Sequence, residues 1–147
     1  ASYKGYGTNS LALNYISSIE RQGTLGAVRA LIAAGADPNA RNNDEETPLH
    51  GATWAGNIDV IEALLDAGAD VNASQPYWGT PLHYAIQFSE IKTEVVLILI
   101  AAGADIEAEN EIGQTPLMLA KQLNAPTEII KILLEAGEAY DRLSDAQ

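Results

Sequence analysis

Across 147 residues the chain carries 20 Asp plus Glu against 8 Lys plus Arg, a formal charge of −12, with 47% hydrophobic residues and no cysteine. That balance suits one folded domain rather than a disordered chain, and the acidity argues against a nucleic-acid backbone or an anionic membrane surface, which need clustered cations. The absence of cysteine removes disulfides, thiolate nucleophiles and cysteine zinc sites, and the longest strongly apolar run, EVVLILIAAGA at 94–104, is well short of the ~20 residues that span a bilayer.

The sequence opens at Ala1 without a basic-then-apolar leader, so a signal peptide is expected to be absent or already removed. A soluble chain follows, cytoplasmic by default, with export left open. Its first unit, NSLALNYISSIERQGTLGAVRALIAAGADPNA (9–40), predicts a helix from a cap at Ser10 to about Gln22, and ends on the word AGAD. AGAD returns at 67–70 and 102–105, and degenerates to AGEA at 136–139. TPLH at 47 and 80, and TPLM at 115, keep the same spacing of about 34 residues.

In the second unit Pro48–Ala55 reads as one short helix, and IDVIEALLDAG (58–68) as another with Ile58, Ile61, Leu64 and Leu65 on one face. Helices this short are unstable alone, so neighbouring units must supply the packing, as in a solenoid. Gly35, Gly68, Gly103 and Gly137 fall where a left-handed cap ends a helix, and Asp37, Asp70 and Asp105 begin the turns that follow. The third unit is lengthened by two residues around FSEIKTE (88–94), and the fourth by one around QLNAPTE (122–128). Both insertions are expected between paired helices, and YDRLSDAQ (140–147) is expected as a frayed tail or partial cap.

The recurring words TPLH and GADVNA, in phase over about residues 9–139, resemble the ankyrin repeat. The resemblance implies an all-α repeat solenoid of stacked helix-turn-helix ankyrin repeats with projecting β-hairpin-like loops. One domain then divides into an N-terminal capping repeat (9–41), repeats 2 (42–74), 3 (75–109) and 4 (110–139), and the tail (140–147).

Two histidines occupy matched positions, His50 and His83. Thr47 and Thr80 read as helix N-caps with proline at the first helical position, as does Thr115. Each histidine then falls at N3, where a side chain reaches back to the cap, and the resemblance implies that it also ties in the adjacent loop. A shared zinc or an acid-base pair is the competing reading. Zinc ligands must lie within about 2.1 Å of the metal, whereas equivalent points on stacked helices are about 8–10 Å apart, and Met118 stands in the fourth unit. No catalytic or cofactor motif occurs, so neither enzyme activity, cofactor nor metal is expected. LLDAGADVNA (64–73) also resembles the pattern that asparaginyl hydroxylases modify in this family, but a turn role is expected of Asn72.

The resemblance places recognition at the loop tips and inner-helix ends of a concave face. Those slots hold Asp44, Glu46 and Trp54, then Tyr77, Trp78 and Phe88, then Glu111, Ile112, Gln114 and Leu123, with Glu109 on the rim. Trp54, Tyr77, Trp78 and Phe88 are expected to form one aromatic hot spot with an acidic rim, although Trp78 and Phe88 could instead pack between units. A monomer that binds a basic or mixed-charge protein is the expected function, as a scaffold or as an inhibitor masking an enzyme's active site.

Overall fold

Each Thr-Pro-Leu word starts a helix. The structure is a computed structural model that describes residues 7–19, 24–87 and 92–146. Eight helices occur among them: α1 (Thr8–Ser17), α2 (Thr24–Ala33), α3 (Pro48–Ala55), α4 (Ile58–Asp66), α5 (Pro81–Gln87), α6 (Thr93–Ala101), α7 (Pro116–Gln122) and α8 (Thr127–Asp145). The Thr47 hydroxyl accepts from the His50 amide and that of Thr115 from the Met118 amide, so α3 and α7 have side-chain caps with proline beside them.

The second helices close on AGAD. Gly35, Gly68 and Gly103 take φ of 92°, 94° and 96°, which only glycine adopts without strain. At each, the next amide bonds back to a carbonyl of the last turn, as Ala69 N–H does to Leu64 and Ala104 N–H to Leu99, the Schellman pattern.

The helices form two layers. Odd-numbered helices pack on one another as an inner row, even-numbered ones as an outer row, and each pair packs internally. Leu13, Val28, Leu49, Ile61, Leu64, Leu82, Leu99 and Ile129 are fully buried between the rows. Each such side chain contributes about 1.5–3 kcal/mol, and because the contacts run from unit to unit, stability belongs to the stack.

A second seam joins the loops on the outer side. Asn39 Nδ2 donates to the Gly68 carbonyl, while its Oδ1 accepts the Asp70 amide; Asn72 repeats both bonds to Gly103 and Asp105. Asp37, Asp70 and Asp105 each accept the amide two residues on, the turn role expected of them.

Three expectations are corrected. α1 begins at Thr8 with Gly7 as N-cap and ends at Ser17. Ser10 lies inside it, buried, with its hydroxyl accepting the Asp37 amide; Ser18 and Ile19 lie beyond the helix, and 20–22 fall outside the described residues. Gly137 is not a cap, because α8 runs through it to Asp145. Glu138 and Ala139 propagate the helix beyond the glycine. The tail therefore continues α8 rather than fraying at 140. The fourth-unit insertion does fall between α7 and α8, with Asn124 at φ 53°; most of the third-unit insertion lies outside the described residues. The loops carry one isolated bridge, Gln75–Gly79, and no strand among the described residues.

Candidate functional site

His50 is completely buried. Its Nδ1 accepts the Thr47 amide at 3.0 Å, so the proton sits on Nε2, which donates to the Gly79 carbonyl at 3.1 Å. His83 repeats the arrangement, with Nδ1 on the Thr80 amide at 3.1 Å and Nε2 on the Gln114 carbonyl at 2.9 Å. Each ring thus caps its own helix and holds the loop of the following unit. Both nitrogens of both rings are committed, which leaves no lone pair for a metal. Burial pushes the His50 pKa down to about 4, and burial likewise lowers that of His83.

The loop tips are organised by residues that sequence reasoning missed. Asn42 Oδ1 accepts the amides of Asp44 and Glu46; Gln75 Oε1 accepts those of Tyr77 and Trp78; Asn110 Oδ1 accepts those of Ile112 and Gln114. Their signal was available, since each stands five residues before a Thr-Pro. In the first unit Asn14 substitutes for the histidine, with Nδ2 donating to the Ala40 carbonyl at 2.6 Å.

Loop tips and inner helices share one face, which holds two grooves. A groove of about 440 Å³ lies between the first two units, lined by Leu11, Tyr15, Ser18, Glu46, Gly51 and Trp54 among others. A second, of about 410 Å³, lies between the last two and collects Tyr77, Trp78, Glu111, Ile112, Gln114 and Leu123. Trp54 is 51% exposed, Tyr77 61% and Trp78 43%. Between the grooves the Tyr84 ring tilts against His50 at a centroid distance of 4.7 Å. Its hydroxyl donates to Glu46 Oε2 at 2.9 Å. Burial, and then Glu46, push the phenol pKa strongly upward.

The family model described as ankyrin repeats (3 copies) matches residues 9–75 and 74–144. The chain belongs to the ankyrin repeat family. A search of curated proteins gives no match. Ankyrin repeats generally mediate protein-protein interactions and are typically non-catalytic, so the grooved face, rather than a reactive centre, is the place to look for function.

The residues expected on that face separate into groups. Tyr77, Trp78, Ile112, Gln114 and Leu123 come together, with Glu111 beside them, and the Gln114 amide also contacts Gln122. Trp54 stands apart with Glu46, so the aromatic residues expected in one cluster are divided between two grooves. The reason is geometric: Trp54 lies in the last turn of α3 and lines the groove shared with the first unit, whereas the tip carrying Tyr77 and Trp78 lines the one shared with the fourth. Asp44 and Glu109 are exposed and line neither groove, and Phe88 lies outside the described residues. Tyr15, 71% exposed, is an aromatic the sequence reading missed because the first unit has no Thr-Pro to set its register. Placing LNYISS over LHGATW would have found it.

Proposed function

We propose that this ankyrin repeat domain is a non-catalytic module that binds a basic or mixed-charge protein across the two grooves. The supporting observation is that four exposed rings, Tyr15, Trp54, Tyr77 and Trp78, stand in grooves on one face, outside the buried core of the stack. Exposed tryptophan and tyrosine are the residues that anchor desolvated interfaces. Acidic side chains around them favour encounter with a cationic surface. In the unbound state the domain is a monomer.

Affinity capture with mass spectrometry tests this reading. Wild type is compared with Trp54→Ala/Tyr77→Ala, whose exposed positions leave thermal unfolding within a degree or two of wild type (about 0.5 kcal/mol or less). A partner recovered by wild type and lost from the double variant supports the face. A specific partner retained by the folded double variant overturns it.

A further inference from the structure

We infer that the groove between the first and second repeats receives a lysine or arginine side chain of the partner protein, with Glu46 as its counter-charge and Tyr15 and Trp54 as its walls. The inference rests on the docking face proposed above and names the chemistry of one end of it.

Glu46 is half-buried, and its carboxylate is already oriented. Oε2 accepts the Tyr84 hydroxyl at 2.9 Å, and Oε1 receives the Asn42 side-chain amide at 3.4 Å. Both donors are neutral, and no Lys or Arg among the described residues lies within ion-pair distance; the one ion pair found there joins Lys131 to Glu135 on α8. A carboxylate offers about four acceptor positions, so two donors leave it open to more. A partly desolvated anion without a counter-charge is unfavourable, and an incoming ammonium or guanidinium relieves that while forming a charge-assisted hydrogen bond.

The surroundings suit a cation with a long apolar stem. Tyr15 and Trp54 are exposed in the same groove, and ring faces attract cations as well as covering methylenes. Gly51 occupies the place that the bulky Tyr84 takes one repeat later, and with Ser18 packed close to it lines the same groove as Glu46. Tyr84 is a positioning residue here: its ring packs on the buried His50 and its hydroxyl fixes the carboxylate. The second groove differs, because its carboxylate, Glu111, is exposed and stands beside the apolar Ile112 and Leu123.

The test uses the indole N–H resonances of the two tryptophans, with Trp78→Phe assigning that of Trp54. Acetyl-Gly-Arg-Gly-amide and its lysine counterpart are titrated into the intact domain, alongside the glutamate and norleucine counterparts. The cationic peptides shift the Trp54 resonance saturably, and the glutamate and norleucine peptides do not. Glu46→Gln weakens the cationic peptides about tenfold and Tyr84→Phe about threefold, with amide spectra showing both variants folded. Equal shifts from norleucine, no shift from either cation, or unchanged affinity in Glu46→Gln overturns the inference. If cation binding fails while partner capture still depends on Trp54 and Tyr77, only the cation site is wrong. Capture that survives the double variant overturns the docking face itself.

Discussion

Protonating His50 should destabilise this protein from the inside. Its Nδ1 faces the Thr47 N–H, so a second ring proton would oppose a donor in a fully buried site. The pKa of about 4 lies below the ordinary 6.5, so the unfolded chain binds more protons between those values and stability falls as pH falls through that window. Working from those two values, the loss is about 2 kcal/mol by pH 5 and about 3 kcal/mol by pH 4. Urea unfolding followed by circular dichroism at pH 7.5, 6, 5 and 4 measures it against His50→Asn, which places an amide where the first repeat uses Asn14. The variant is less stable at pH 7.5 by about 2 kcal/mol, and the gap closes on acidification because only wild type carries the His50 term. Changes among the many carboxylates are common to both proteins and cancel. Parallel pH dependences would refute the assignment of the acid sensitivity to His50.

Further outcomes can be checked by the same unfolding assay. Gly79→Ala places a methyl 2.6 Å from His83 Nδ1 at a φ of 91°, and should cost about 3 kcal/mol through left-handed backbone strain and the lost ring contacts; a cost under about 1 kcal/mol would refute the packing described. Asn72→Ala should cost about 1 kcal/mol by opening the outer seam, whereas Glu107→Ala, at the equivalent place one repeat later, should be near neutral. Ser17 Oγ is buried without a hydrogen-bond partner, so Ser17→Ala should raise stability by about 1 kcal/mol; a loss would reveal an unrecognised bond.

The repeat words carried most of the fold. Thr-Pro placed α3, α5 and α7, AGAD placed three helix ends, and counting from the cap put both histidines at N3. Glu107 in place of asparagine is intelligible only with the structure: α8 runs through Gly137, so the backbone there is helical and forms no turn for an asparagine to hold. AGEA looked like a degenerate stop because a helix end depends on what lies beyond it as well as on its own residues. The candidate site was half legible. Which positions were variable followed from the period, but which of them meet depends on the direction each faces across the stack, and this separated Trp54 from Tyr77 and Trp78.

The two buried histidines bond to the Gly79 and Gln114 carbonyls, and Asn42, Gln75 and Asn110 bond to loop amides. All of these partners are main-chain atoms, present whatever side chain the residue carries. Gly79 apart, whose φ of 91° needs glycine, the grip on each loop does not depend on which side chain stands at its tip. Asn43 and Asp44, Tyr77, and Glu111 and Ile112 can diverge with little effect on the stack, so new partners can be acquired by mutations that leave folding nearly untouched.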